Sequence, residues 1–207
     1  MTRRFKVLDK PDDTLPAPLF EGEWRKRIDA REKELCAQAE GSPKPKPAPR
    51  STEVLNLLQK SKQRSDDGFK KSATATALDQ AEKKLAAPLP EFWRQVLLIS
   101  DGFELPPIQA LNGAAVSFDS TKELRSSLQK DMLSEYTEIT GKKNQGLIYL
   151  GNTIYGDMFF LRAGVPATNR QPDAPTMLIS HETGQPMSNW PSAATMLHEL
   201  LTSAPAD

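Results

Sequence analysis

Cysteine and histidine are scarce in this chain, which has one cysteine and two histidines among 207 residues. The single cysteine, Cys36, excludes a disulfide within the chain and fits a reducing compartment. Neither His181 nor His198 lies in an HExxH motif or in a Cys/His cluster. We interpret both as members of surface pairs with the glutamates that follow them. The sequence therefore predicts no metal site and no cofactor.

The sequence also lacks the short motifs that mark common catalytic sites. It has no GxSxG nucleophile elbow, no Walker-type phosphate loop and no GxGxxG dinucleotide motif. Cys36 has no histidine near it in sequence that would activate it. Two carboxylates that met in a cleft would still support acid–base chemistry, so a hydrolytic enzyme stays an open alternative. We expect a binding protein, not an enzyme, with no catalytic residue.

Long apolar runs are missing as well. No run approaches the roughly 20 apolar residues that a membrane-spanning helix needs. The first residues, MTRRFKVLDKPDD, lack the apolar core of a signal peptide. We therefore expect a cytoplasmic protein that has no membrane partner.

The chain has no overall excess of charge, because 27 basic residues balance 27 acidic ones. The two signs are unevenly distributed along it. Residues 1–71 contain 17 basic and 12 acidic residues, whereas residues 72–207 contain 10 basic and 15 acidic ones. The front of the chain is therefore basic and the body acidic. An acidic body is poorly suited to contacting phosphates, so we predict no nucleic acid partner for it.

Proline is abundant, with 17 residues, and the hydrophobic fraction of 38% is low for a wholly globular chain. Residues 41–50, GSPKPKPAPR, have the composition of a semi-rigid spacer, with a proline-rich recognition ligand as the alternative. We predict helices at 21–40 and 51–62. The first is interpreted as a solvated helix, or else as an arm that binds an acidic partner or nucleic acid. The predicted domains are an N-terminal extension over 1–72, a main domain over 73–202 and a tail over 203–207.

The stretch from Leu78 to Leu105 organises the main domain. Its first helix carries Leu78, Ala81 and Leu85 on one face. Pro90 is suited to open a second helix as its first residue, and Gly102 to follow its end in the left-handed conformation. Apolar residues cover more than half of this second helix, which predicts burial on more than one side: Phe92, Trp93, Val96, Leu97 and Ile99.

Strands and two more helices follow this stretch. The pattern predicts a loop at 103–107, a tight turn at Asn112-Gly113 and a helix that begins with a capping box of Ser120 and Glu123. The remaining predicted elements are a strand around 116–118, a continuation of that helix to about 139, strands at 147–150, 154–162 and 176–180, and a final helix over 192–201. We predict an α+β fold in which helices pack on a mostly antiparallel sheet.

A series of short motifs occurs in a fixed order along the main domain. Glu82 lies in the first helix, Leu89-Pro90 and Phe92-Trp93 open the second, and Asp101-Gly102 follow its end. A strand pair around Gly156-Asp157, a later strand with an acidic turn at 177–185 and the last helix complete the series. In this order the chain resembles the SUKH superfamily over residues 73–202. The first 70 residues do not match the family.

The resemblance implies a binding domain without catalytic activity. Many bacterial SUKH members are immunity proteins of polymorphic toxin systems, which bind and neutralise a cognate toxin, often a nuclease. Eukaryotic relatives are regulatory scaffolds linked to cell-wall synthesis, which is the alternative function for this chain. A basic toxin would suit the acidic body, because complementary potentials speed association and disfavour wrong partners. The sequence does not indicate an oligomeric state.

We predict that the partner contacts lie at the ends of elements in the acidic body. The predicted contact residues are Asp101, Glu104, Asp119, Tyr155, Asp157 and Glu182. Tyr155 is included because tyrosine is frequent at interface hot spots. Asp157 has a structural alternative, in which it forms a bulge or turn after Gly156. We predict structural roles for Pro90, Trp93, Gly102, Gly156 and Trp190.

Overall fold

The computed structural model describes residues 48–65, 67–85, 87–164 and 170–203. The chain divides into two units after Pro47. The helix predicted at 21–40 and most of the linker predicted at 41–50 lie outside the described residues, as does all but the first residue of the predicted tail. All elements below belong to the second unit.

Six antiparallel strands form one sheet in which every strand pairs with the next along the chain. This arrangement confirms the predicted α+β fold. The strands are β1 (Phe103–Ile108), β2 (Ala114–Phe118), β3 (Leu147–Thr153), β4 (Met158–Arg162), β5 (Thr176–Ile179) and β6 (Pro186–Trp190).

Helices cover both faces of the sheet. They are α1 (Ser51–Arg64), α2 (Ala75–Glu82), α3 (Glu91–Ile99), the short α4 (Thr121–Leu124), α5 (Ser127–Thr140) and α6 (Ala193–Ser203). The larger core joins one sheet face to α1, α2, α3 and α6. A smaller core joins the other face of β3, β4 and β5 to α5. The central strands are therefore buried on both faces.

Aromatic side chains link the elements of the larger core. The Trp93 ring from α3 meets Phe118 of β2 edge-on, with centroids 5.4 Å apart. Phe118 contacts Phe159 of β4 at the same distance, and Phe159 stacks on Trp190 of β6 at 6.1 Å. Trp93 and Trp190 are 1% and 5% exposed. Aromatic contacts of this kind stabilise a core beyond the area that they bury.

Helix α1 is part of the same core. Val54 and Leu58 are completely buried, and the Lys62 ammonium donates to the backbone carbonyl of Ile99 at 2.6 Å. The unit that contains the sheet begins at Ala48 and therefore includes α1. The helix predicted at 51–62 was assigned to the extension, although its Val54 and Leu58 belong to the core.

Both edge strands differ from their predicted conformation. Residues 103–107 were predicted as a loop, yet they lie within β1, which includes Pro106 and Pro107. Strand β6, which starts at Pro186, was not predicted. Proline removes a backbone donor, and an edge strand tolerates this because one side of it makes no ladder hydrogen bonds. The three prolines of β1 and β6 therefore mark sheet edges and not the absence of strands.

Helix and strand ends also differ from the prediction in detail. Pro90 is the residue before α3 and not its first residue, since α3 begins at Glu91. The capping box of Ser120 and Glu123 is confirmed, but the helix that it opens stops at Leu124. A new helix starts after Ser126, whose hydroxyl accepts from the backbone N–H of Leu128. The strand predicted over 154–162 begins only at Met158, because residues 154–157 form a turn.

Candidate functional site

The two ends of the sheet differ in what they carry. Three turns, at 109–113, 154–157 and 180–185, connect β1 to β2, β3 to β4 and β5 to β6 at one end. We call this the turn end. The longer connections at 119–146 and 163–175 leave from the opposite end, which we call the connection end. Short strands separate the two ends, since five residues of β2 span about 17 Å.

The six predicted contact residues divide between these ends. Tyr155, Asp157 and Glu182 lie in the turns of the turn end. Asp101 precedes β1 and Asp119 follows β2 at the connection end, where Phe103 pairs with Phe118. Glu104 lies beside them on the edge strand, where it pairs with Ser117. The six residues therefore form two groups and not one cluster.

At the turn end, Asp157 and His181 tie two turns together. The Asp157 carboxylate lies 3.0 Å from the His181 Nδ1 and accepts from the His181 backbone N–H at 3.3 Å. Its backbone N–H donates to the Thr153 hydroxyl at 3.2 Å, which closes the β3–β4 turn. Asp157 is 8% exposed, so it supports the turn from inside and offers little surface to a partner.

Gly156 gives this turn its shape. Its φ of +93° lies in the left-handed region that favours glycine. A Cβ at this position would lie 3.3 Å from the His181 ring. The close approach of the two turns therefore depends on a residue without a side chain, and this agrees with the structural alternative considered for Gly156-Asp157.

The three large apolar side chains that are exposed in the described part of the chain all lie at the turn end. Ile154 is 66% exposed and Tyr155 56%, and both belong to the β3–β4 turn. Met187, which is 50% exposed, directly follows the first residue of β6. Ile154 directly follows β3, and strands β3 and β6 are three ladder spacings apart, about 14 Å, so the three side chains lie within the area of one interface. Glu182 lies exposed in the turn that leads to β6.

The connection end holds a buried carboxyl group. Asp119 is 9% exposed, and its Oδ2 has no hydrogen-bond partner within the described residues. Burial, together with the charge of Glu123, raises the pKa of Asp119 to about 7, although Lys70 opposes the shift. Burial opposes the ionisation of Glu123 too, but hydrogen bonds from Ser120 and the charge of Lys70 lower its pKa. Asp119 is therefore enclosed by the fold and is a poor contact residue.

Asp101 is used within the fold in a similar way. Its two carboxylate oxygens accept from the backbone N–H of Thr121 at 2.6 Å and from the Thr121 hydroxyl at 2.9 Å. This holds the start of α4 against the end of α3. Glu104 is the member of this group that is exposed to solvent.

The residues predicted as structural have identifiable partners. The Trp190 Nε1–H donates to Glu199 of α6 at 2.9 Å, whereas the Trp93 Nε1 is buried with no partner in the described residues. Gly102 has a φ of +86°, and a Cβ there would lie 3.0 Å from the Phe118 carbonyl oxygen. Pro90 is buried before α3.

The sequence did not reveal Ile154, His181 and Met187 as parts of the site. Ile154 was assigned as the first residue of a strand, and an apolar strand residue is expected to be buried. His181 was interpreted as a surface residue paired with Glu182, but its ring lies against the neighbouring turn. The sequence did contain one indication of the β3–β4 turn. This is the Gly-Asp pair at 156–157, because glycine before a carboxylate is typical of a tight turn. Which other turn packs against it depends on the register between the strands, and the sequence alone does not determine that register.

Within the described ranges, no group of three or more His, Cys, Asp or Glu residues is placed to hold a metal ion. No helix among them combines the length and apolar character needed to cross a membrane. Comparison of the chain with family models, curated proteins and solved structures gave no match.

Proposed function

We propose that this chain binds a protein partner through the turn end of its sheet, and that the partner is a cognate bacterial toxin which it neutralises by stoichiometric binding. The observation that carries the proposal is the exposure of Ile154, Tyr155 and Met187 together on one end of the sheet. The resemblance to SUKH immunity proteins supplies the class of partner. The proposal includes a cytoplasmic location and no catalytic turnover.

Rigid support makes the exposed residues suitable as anchors. The β3–β4 turn is held by the Thr153 hydroxyl and by the Asp157–His181 contact. The backbone of such a turn loses little conformational freedom on binding, so the ordering of the loop offsets less of the energy gained by burying its side chains. Tyrosine in particular is enriched at interface hot spots, where an aromatic side chain fills a pocket of the partner.

The distribution of charge in the chain supports the proposal of a basic partner. Residues 72–207 contain 15 acidic and 10 basic residues, and Glu182 lies next to the apolar residues of the turn end. An acidic surface attracts a basic protein over a Debye length of about 8 Å at physiological salt. This effect raises the association rate and disfavours acidic partners. A nuclease toxin, whose substrate site must attract phosphates, would fit this surface.

A regulatory scaffold linked to cell-wall synthesis is the alternative function. It would use the same surface with a different partner, and the proline-rich segment at 41–50 favours it because such segments also serve as ligands for adaptor domains. A toxin gene beside the gene of this chain would favour neutralisation over the scaffold.

The test is co-expression of the chain with toxins encoded beside its gene, followed by titration calorimetry of the purified pair. We expect restored growth, one-to-one binding and at least about a tenfold loss of affinity in an Ile154→Ser/Tyr155→Ala double variant, which corresponds to 1.4 kcal/mol. Glu104→Lys at the connection end is the control and should bind nearly as well. Unchanged affinity in the double variant, or neutralisation well below one equivalent, would contradict the proposal.

A further inference from the structure

A groove of about 450 Å³ lies between α5 and the residues that follow α2, away from the turn end. Its volume is within the range of small-molecule sites, about 300–1,000 Å³. Leu85, Leu133 and Leu147 contribute an apolar lining, and Leu147 is buried in the sheet. The groove is therefore large enough and apolar enough to hold part of a small molecule.

The charges that line this groove are all positive. Lys84 lies after α2 on one side and Lys130 lies on α5 on the other, and none of the described residues that line the groove is acidic. Both lysines are exposed, and neither forms an ion pair with another described residue. The two lysines therefore make the local electrostatic potential of the groove positive.

The walls of the groove are held in place by buried hydrogen bonds. The Gln129 amide donates to the Tyr149 carbonyl at 2.6 Å and accepts from the Tyr149 N–H at 3.1 Å, which fixes α5 to β3. The Asn144 amide donates to the Leu133 carbonyl at 2.9 Å. These bonds occupy the buried polar groups of the wall, so the lysines and the exposed Ser134 hydroxyl remain for a ligand.

We propose that this groove binds a small amphiphilic carboxylate, with the carboxylate between Lys84 and Lys130 and the hydrocarbon chain on the three leucines. Two ammonium groups on opposite walls attract one anion, and a carboxylate accepts hydrogen bonds from both. The hydrocarbon gains about 25 cal/mol for each Å² of apolar surface that leaves water. This site is separate from the turn end and does not depend on the proposed toxin binding.

The test is a titration of the full chain with octanoate, followed by methyl NMR of the leucine side chains. We expect shifts at Leu85, Leu133 and Leu147, and a dissociation constant that rises with salt because screening weakens the lysine contacts. Neutral 1-octanol is the matched probe and should bind about five- to tenfold more weakly, since it lacks the charge that two exposed lysines attract. Equal affinity for the two probes would overturn the proposal.

Two kinds of variant test the contribution of the lysine charges and the contribution of the cavity separately. A Lys84→Gln/Lys130→Gln double variant should lose the preference for octanoate over 1-octanol, whereas Lys60→Gln on α1 should keep it. Ser134→Trp, at an exposed position beside the groove, should fill the cavity and reduce binding of both probes. Absence of leucine shifts at millimolar octanoate, or shifts confined to the turn end, would also overturn the proposal.

Discussion

Arg170 places two guanidinium nitrogens on the carboxylate of Glu82, at 2.7 and 3.0 Å, across 88 residues of sequence. Arg94 donates to the same carboxylate at 2.7 Å, and the backbone N–H of Leu89 donates to it at 3.1 Å. The Glu82 side chain is only 12% exposed. One carboxylate thus joins the end of α2, the start of α3 and the connection between β4 and β5.

We predict that Glu82→Gln lowers the free energy of unfolding by about 2–4 kcal/mol, because it leaves two arginines facing a neutral amide. Asp79→Asn is the matched control, since Asp79 also contacts Arg94, at 3.3 Å, but its side chain is 61% exposed. An exposed pair contributes about 0–1 kcal/mol. Denaturant unfolding of both variants measures the difference. Equal losses of unfolding free energy in the two variants would show that burial does not increase the contribution of Glu82 to stability.

We predict that Asp119→Asn stabilises the protein at alkaline pH. The folded pKa of Asp119, about 7, lies above its ordinary value of 3.8, so the folded state binds the proton more tightly than the unfolded state does. Ionisation therefore destabilises the fold progressively between these two pH values. The asparagine should add about 2–4 kcal/mol at pH 8 and almost nothing at pH 4. Thermal unfolding across this range measures the effect, and the exposed Glu104→Gln is the control.

Glu123→Gln should show the opposite dependence. Its lowered pKa means that the folded state favours the carboxylate, so Glu123 stabilises the protein above its ordinary value of 4.5 and loses that contribution as the pH falls. We expect a loss of about 0.5–2 kcal/mol at pH 7, typical of a helix cap, that shrinks in acid. If Glu123→Gln lowered the free energy of unfolding equally at pH 7 and in acid, the stabilising role given to the ionised carboxylate would be wrong.

We predict that Gly102→Ala costs more than Gly113→Ala. Both glycines have positive φ, +86° and +79°, so both substitutions carry a conformational cost of about 1–2 kcal/mol. A Cβ at Gly113 has nothing within 4 Å, whereas at Gly102 it would lie 3.0 Å from two backbone atoms, the Phe118 oxygen and the Ser120 nitrogen. The difference in unfolding free energy isolates the cost of crowding. Similar losses of unfolding free energy in the two variants would mean that the backbone around Gly102 shifts to accommodate the added Cβ.

We predict that residues 48–203 fold cooperatively and that residues 73–203 do not. The shorter chain lacks Val54 and Leu58, both completely buried, and uncovers the surfaces of α3 and α6 that they cover. Removal of a single buried leucine side chain costs about 2–5 kcal/mol, and loss of the whole helix costs more. Circular dichroism during thermal unfolding compares the two chains. A cooperative transition in the shorter one would make α1 dispensable.

Local patterns predicted those parts of the fold that depend on neighbouring residues. The Ser120–Glu123 box and the apolar face of α3 are formed by residues within one or two helical turns, so the sequence displays them directly. Glu82 was recognised as a motif residue, but its contact with Arg170 depends on a connection that no short pattern encodes. The exposure of Ile154 likewise follows from where β3 ends, which the bulge between Tyr149 and Gly151 alters.

The prolines of the two edge strands also affect how the edges of this sheet associate with other protein chains. Pro106 and Pro107 in β1 and Pro186 in β6 have no backbone N–H to offer to an approaching strand. Edges interrupted in this way resist edge-to-edge aggregation. They also hinder recruitment of a partner's extended segment as a seventh strand. Replacement of these prolines with β-branched residues would restore the missing N–H donors and remove part of this protection.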